Sequence, residues 1–566
     1  MIKKIFSTGI HPIPVIVLII LCCFQQLSCS SELEPQFLEP PSIVPNPQEN
    51  VPLAAILKLQ VNKPVEVVLR VSDSLDTRNI NYGYKTEKKL ELPVIGLRPG
   101  TAYRFEVQIK DKANNSLTLD EELSFSTPSL PRNASMFPRI SVNNSLPNKV
   151  EPGFTLLNPR RRLPRESQIG NEEERQFGER FGMLLAVDSE GIPIWYYNAQ
   201  TRISDFDYLS NGNIQYVTTD FRIIEIDILG NTINSWFAKN RPTQQPSTDG
   251  IPVDALTFHH DADRMESGNI TALSTEQRII DNYYTSAYDE RSPRQTQNVM
   301  GDVIITFNPQ GNIVWKWNAF DHLDPFRIGY ETFIPYWIRR GFPNTIDWSH
   351  ANALVYKSSD ESILVNFRLQ SSIVKIDRDT GEIEWIFGEH SGWPAHLKDK
   401  LIAMDGDSRW FWHQHAPVWT KRNTLLLFDN GNYRARPFTE PVPVDETWSR
   451  AVEYSIDEEN REAHEIWSSE IPGDPKVVSI AMGSVQELPT MDNILVGYGA
   501  LLDTANIDNI DWQSRAKINQ WTRVREYSRT RPPKIVWEMQ LLPTGKNGAI
   551  GWTIFGAKRI NEFILN

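Results

Sequence analysis

One phrase recurs through the last two thirds of the chain and constrains the fold more than any other feature. It runs as alternating apolar residues, an Asp or Asn, a turn closed by Gly, more apolar alternation, and a Trp. The clear copies are LLAVDSEGIPIW (Asp188, Gly191, Trp195), IIEIDILGNTINSW (Asp227, Gly230, Trp236), VIITFNPQGNIVW (Asn308, Gly311, Trp315) and SIVKIDRDTGEIEW (Asp377, Gly381, Trp385). Looser copies end at Trp467 and Trp537. Each copy reads as a hairpin, two runs of period two around a turn that suits Asp, Asn and Gly. Six such hairpins, spaced by about 40 to 80 residues, predict an all-β chain with six blades around an axis, a β-propeller.

A second phrase alternates with the first: SDFDYLSNGNIQYVT, HHDADRMESGNITALS, SHANALVYKSSDESILVNF, HQHAPVWTKRNTLLLF and GSVQELPTMDNILVGYG, with a degenerate GWTIFGAKRINEFILN at the end. The first strand of a propeller blade lines the central channel, so these phrases are assigned to the inner halves of the blades.

The N-terminal part is organised differently. Lys3 and Lys4 precede an apolar run from Pro12 to Phe24, and the order is that of an export leader, too short for a comfortable membrane span. A small residue before Cys29 suggests a lipoprotein site there. Residues 1–29 are read as leader and 30–52, rich in Pro, as linker. Residues 53–130 alternate as strands, and GLRPGTAYRFEVQIKD is similar to the corner of a fibronectin- or immunoglobulin-like sandwich, with Tyr103, Phe105 and Val107 inward. The charged run that follows, PRRRLPRES to NEEERQFGER, is read as a solvated loop, and the propeller is placed at 150–566.

A formal charge of −13 argues against nucleic acid as a partner, because phosphate binding needs a basic face. The three cysteines, Cys22, Cys23 and Cys29, all lie in the leader, leaving no disulfide or thiol chemistry for the rest. The sequence holds no GxxxxGK[ST] loop, no GxGxxG opening a helix and no HExxH.

Aligned on its turn, the second phrase puts His260, His350 and His415 at equivalent positions near the start of three inner strands, with Ser204 and Ser484 in related places. Residues at one repeat position meet around the axis, so the three imidazoles are expected to converge. Neighbouring His259 and His413 should alternate to the opposite strand face and serve the packing. Asn352 shares a face with His350, and Arg368 ends the next strand, where its planar fork suits an oxyanion. Asn430, Ser484 and Arg434 are further candidates for the pocket, and Trp348, Trp412 and Trp419 for its lip or for packing. This constellation leaves several chemistries open: nucleophilic transfer, a hydrolase or lyase with three histidine metal ligands, a quinone-dependent dehydrogenase, and a propeller that only binds a ligand. Six blades rather than eight count against the quinone reading.

The segments DWSHANAL, HQHAPV with LLLFDNGNYR after it, and HHD resemble the bacterial aryl-sulfate sulfotransferases over about residues 50 to 566. Those are periplasmic, nucleotide-independent enzymes with a small N-terminal sandwich and a six-bladed propeller. The resemblance implies ping-pong transfer of a sulfuryl group from a small aryl sulfate to a phenol, without cofactor or metal. His415 would carry the group, His260 and His350 would flank it, and Asn352 and Arg368 would hold its oxygens. It also implies an exported protein, periplasmic or tethered to the outer membrane through Cys29; a membrane tether and a homodimer are both left open. Known members can carry a disulfide beside the active site, which this chain has no cysteine to form.

Overall fold

The computed structural model describes residues 34–133, 135–162, 180–199, 201–242, 250–502, 511–515, 518–544 and 550–565. The leader, Cys29 and most of the charged run lie outside them. Among the described residues no helix is long and apolar enough to cross a membrane.

The N-terminal domain is a two-sheet sandwich. One sheet orders the strands Phe37–Pro45, Ala55–Val61 and Lys89–Val94; the other is built on Val65–Ser72 and Ala102–Lys110. Alternation drives it: Val65, Val67, Leu69 and Val71 lie beside Tyr103, Phe105, Val107 and Ile109 on one sheet face, packed in one core with Leu57, Leu59, Leu90 and Leu92 of the other sheet, and every second residue turns outward. Tyr103 closes the corner, its hydroxyl accepting the Arg98 N–H at 2.7 Å. The expected linker at 30–52 needs correction. Phe37–Pro45 is a strand paired to Ala55–Val61, with register shifts between Phe37 and Glu39 and between Glu39 and Ser42, the second spanning Pro40 and Pro41. Proline-rich sequence is compatible with a strand at an edge, where its missing N–H breaks no ladder.

Six further sheets of four or five strands follow, each built on an antiparallel meander. Their recurring phrase has a physical reason. Asp188, Asp227 and Asn308 each accept turn N–H groups, as in Ile192 N–H to Asp188 Oδ1 at 2.8 Å, and Gly191 closes the turn at a φ of 82°. The Trp at the end of the phrase then donates to the turn of the neighbouring sheet: Trp537 to Ser189 O at 2.8 Å, Trp195 to Ile228 O at 2.8 Å, Trp236 to Pro309 O at 2.9 Å and Trp315 to Arg378 O at 2.7 Å. Four of the six phrase tryptophans thus clip one sheet to the next, while the indole N–H groups of Trp385 and Trp467 are buried without a hydrogen-bond partner.

The first strands of the sheets are Ile203–Tyr208, Ala262–Arg264, Ala351–Lys357, His415–Trp419, Ser484–Glu487 and Gly551–Ile560. Each touches the next, and the last touches the first. The sixth sheet joins the two ends of this region, with Gly551–Ile560 paired to Phe154–Arg162.

Candidate active site

The inner strands enter the centre through unusual backbone. His260, His350, His413, Ala416 and Met482 all sit at left-handed φ, from 49° to 60°. Such conformations are costly for residues with a Cβ and persist where surrounding contacts fix them. They also break the alternation that an extended strand imposes. The expectation that His259 and His413 turn away is therefore corrected: His259 lies with its ring 5.1 Å from that of His260, and His413 lies beside Arg368 and Glu331.

His415 is held by its neighbours in one tautomer. Asn430 Nδ2 donates to Ser479 O at 2.7 Å and Met482 O at 2.9 Å, which turns its Oδ1 to His415 Nδ1 at 2.6 Å. An amide oxygen only accepts, so Nδ1 carries the proton and Nε2 is bare. The Met482 N–H, 3.2 Å from Nε2, agrees. Burial, and then the charge of Arg368, push the His415 pKa down to about 3, so the ring is neutral across the working range.

Arg368 ends its strand in an ion pair with Glu331 at 2.6 Å, and Arg515 binds the other oxygen of the same carboxylate. Burial works against the charge of Glu331, but the two guanidiniums hold its carboxyl below the usual range. One carboxylate between two cations leaves positive potential beside His413 and His415. Asp429, the residue before Asn430, binds the Trp412 N–H at 2.9 Å, Arg434 at 3.1 Å and Arg450 at 3.2 Å, and Arg450 binds Glu465 at 2.6 Å.

His350 and His260 complete the trio, their rings 4.8 Å apart. His350 Nδ1 is hydrogen-bonded to Asp347 Oδ2, while Asp347 Oδ1 accepts the Trp337 indole N–H at 3.0 Å. His260 lies between His259 Nδ1, at 2.9 Å, and the Tyr336 hydroxyl, 3.3 Å from its Nε2. Burial first, then the neighbouring His350 and His259, hold the His260 pKa well below the ordinary value. Phe555 links the His260 and His415 walls, its ring 6.0 Å from His260 and 6.4 Å from His415, with the Arg160 guanidinium 5.1 Å above it. Burial pushes the Arg160 pKa down to about 9, and it donates to Ile203 O at 2.9 Å.

Of the residues expected from the sequence, His260, His350, His415, Arg368 and Asn430 meet here. Asn352 and Ser484 are committed to seams between sheets. Asn352 Nδ2 donates to Gln414 O at 3.0 Å and its Oδ1 accepts from Asn366, whereas Ser484 Oγ accepts the Ala557 N–H at 2.9 Å. Arg434 binds Asp429 and lies 3.9 Å from the Trp448 ring centre. Trp348 stacks on Phe320 at 4.8 Å, as packing. Sequence reasoning missed Asp302, Glu331, Tyr336, Asp347, Phe555 and Arg160. Asp347, three residues before His350 in DWSH, had a local signal, and Phe555 lies in the degenerate last copy of the inner-strand phrase; the others stand outside that phrase. Among the described residues, no group of three or more His, Cys, Asp or Glu is arranged to hold a metal ion.

Comparison with known proteins fits this geometry. The arylsulfotransferase (ASST) family model matches residues 139–533, and the arylsulfotransferase Ig-like domain model matches residues 42–128. The arylsulfate sulfotransferase AssT of Lelliottia amnigena is 22% identical over 500 residues, covering 75% of this chain and 79% of that protein. The enzyme of the same name from Escherichia coli O6:H1 is 30% identical over 138 residues, 21% of this chain and 22% of that protein. Among solved structures, a Bacteroides caccae protein of unknown function aligns with a TM-score of 0.36 at 10% identity, over 73% of this chain and 100% of that one. The family model spans well over half of the chain, across every histidine of the cluster: the chain belongs to the arylsulfotransferase family and is a transferase.

Proposed function

We propose that this chain moves a sulfuryl group from a phenolic sulfate ester to a phenol in two half-reactions, through a covalent adduct on His415. In this reading the six sheets are the blades of one propeller and the site lies where they converge; the closed succession of touching first strands supports it. The observation that carries the chemistry is His415 itself: neutral, proton on Nδ1, with Arg368 beside it.

In the first half-reaction the Nε2 lone pair attacks sulfur, the N–S bond forms and the S–O bond to the aryl oxygen breaks, releasing the phenolate. The Met482 N–H contact gives way as Nε2 bonds to sulfur. Negative charge on the three sulfuryl oxygens is met by Arg368, whose charge Glu331 shares with Arg515. In the second half-reaction the acceptor gives its proton to an imidazole across the cavity, its oxygen attacks sulfur, and the N–S bond breaks to restore His415. Over the cycle that proton replaces the one the departing phenolate takes up, so the exchange balances without a cofactor. His350 has a carboxylate behind it and His260 faces a phenol hydroxyl, so both fit the role of base.

The test is p-nitrophenol release from p-nitrophenyl sulfate with and without phenol, beside intact-mass analysis of the donor-treated protein. Phenol-dependent turnover and a sulfuryl adduct that His415→Ala abolishes are expected. Turnover indifferent to phenol, with no adduct, would overturn transfer in favour of hydrolysis. We also propose export, on the leader at residues 1–29. Fractionation of cells expressing the wild-type chain beside a Cys29→Ser variant checks it: a loss of membrane attachment in the variant supports the lipid anchor, and retention of the wild type in the cytoplasm overturns export.

A further inference from the structure

We propose that His259 and Asp302 are positioning residues that fix the tautomer of His260, presenting its bare Nε2 to the cavity as the base for the phenolic proton. The proposal rests on the sulfuryl-transfer reading above.

The argument is one of donors and acceptors. His259 Nε2 lies 3.2 Å from Asp302 Oδ1 and 3.1 Å from Ser274 O. Carboxylate and carbonyl only accept, so Nε2 carries the proton of a neutral ring and Nδ1 is bare. His260 Nδ1, 2.9 Å away, must therefore donate to it, which leaves His260 Nε2 without a proton. The Tyr336 hydroxyl, 3.3 Å from that nitrogen, marks how a phenolic O–H approaches it, and the Tyr336 ring stacks on His260 at an interplanar angle of 12°. The opposite assignment needs protons on both His259 ring nitrogens, one more than a neutral ring carries, with the His260 proton moved to Nε2.

Both positioning residues are fixed in turn. The His259 N–H donates to Leu273 O at 3.2 Å. Asp302 Oδ2 accepts the Ala351 N–H at 2.7 Å and the Ser349 hydroxyl, so the carboxylate behind His259 also pins the segment carrying His350. When the acceptor transfers its proton, the O–H bond breaks and an N–H bond forms at His260 Nε2. The new imidazolium keeps its Nδ1–H on His259, with the negative charge of Asp302 one ring away. This is the logic of a carboxylate behind a catalytic imidazole, extended by one residue.

Two substitutions separate this role from packing. His259→Phe keeps a ring against Trp337 but accepts no hydrogen bond; His259→Gln offers a side-chain oxygen to His260 Nδ1–H. Formation of the sulfuryl adduct from p-nitrophenyl sulfate, whose leaving group needs no proton, should be the same in both variants and the wild type. Transfer from the adduct to phenol should fall by roughly 10–100-fold in His259→Phe, the scale of an outer-shell partner, with most of the loss recovered in His259→Gln. Long-range 1H–15N correlation on [15N]histidine-labelled wild-type protein should find His260 protonated on Nδ1. Equal loss in both half-reactions, no advantage of Gln over Phe, or a proton on His260 Nε2 would each overturn the assignment. If the wild type forms no adduct, the sulfuryl-transfer reading fails, and the tautomer measurement still decides the hydrogen-bond chain.

Discussion

Two clusters of ionisable groups lie at the convergence of the inner strands, and they answer burial in opposite ways. His260 and Asp261 are consecutive, and the Asp205 N–H donates to His260 O at 3.0 Å, so the same strands feed both. In the histidine cluster His259, His260 and His415 have a partner on each ring nitrogen. In the other, Asp205, Asp207, Asp261 and Asp263 face Lys558, which pairs with Asp207. Asp261 and Asp263 turn instead to backbone, accepting the Leu354 N–H at 2.8 Å and the Tyr356 N–H at 3.3 Å. Burial pushes Asp205 and Asp263 up to about 6 and Asp261 well above its usual value. The same burial pushes His415 down to about 3. Withdrawal from water favours the neutral base on one side and the neutral acid on the other, and that shift is useful only where a lone pair is aimed at a reacting atom.

Their pH dependences therefore differ in sign. Buried His260, His413 and His415 contribute stability that is complete above the unfolded histidine pKa, near 6.5, and lost as pH falls below it, through about 3 in the case of His415. The raised carboxylates contribute stability that is complete below their unfolded pKa, near 3.8, and lost as pH rises through about 6.

The comparison can be broken at several points. The largest effect is expected at His415→Ala, which should lower acceptor-dependent turnover by at least about 10³-fold while leaving the far-ultraviolet spectrum unchanged. Asp347→Asn should lower turnover by roughly 10–100-fold by loosening His350, with a smaller change in donor KM. Asp263→Asn, in the other cluster, should leave turnover within about two-fold and raise stability at pH 7 by about 1–2 kcal/mol, discounted for partial exposure. Denaturant unfolding at pH 7 and at about pH 3 should find that gain only at pH 7, because below its unfolded pKa, near 3.8, Asp263 is largely neutral in both states. Asn352→Ala sharpens the boundary between site and seam: a stability loss of about 1–2 kcal/mol with turnover nearly kept fits its seam contacts, whereas a 10²-fold loss of turnover would return it to the sulfuryl group. Ser484→Ala should cost least, about 0.5–1 kcal/mol, with no kinetic change.

Much of this was legible in the sequence. The Asp–Gly–Trp phrase foretold hairpins because each of its residues has a local duty, and Tyr103 marked its corner in the same way. His260, His350 and His415 were found because repeat position becomes spatial position. His259 and His413 were misread because alternation presumes extended backbone, and the left-handed φ of His260 and His413 cannot be seen in a residue type. Asn352 and Ser484 stand in the right phrase, but their side chains satisfy the edges of neighbouring sheets first.

The sequence by itself determined which residues form strands and turns, and which chemistry-bearing residues recur at the start of inner strands, since both follow from local period and turn chemistry. Only the tertiary structure decided what those residues are. Glu331 was brought to Arg368 and Arg515 by packing across sheets, whereas Asp302 met His259 and Asn430 met His415 within single sheets, through strand pairing and the bends that lead into the strands. A tautomer and a charge state depend on burial and on the partner within about 3 Å, and neither is a property of the neighbouring letters.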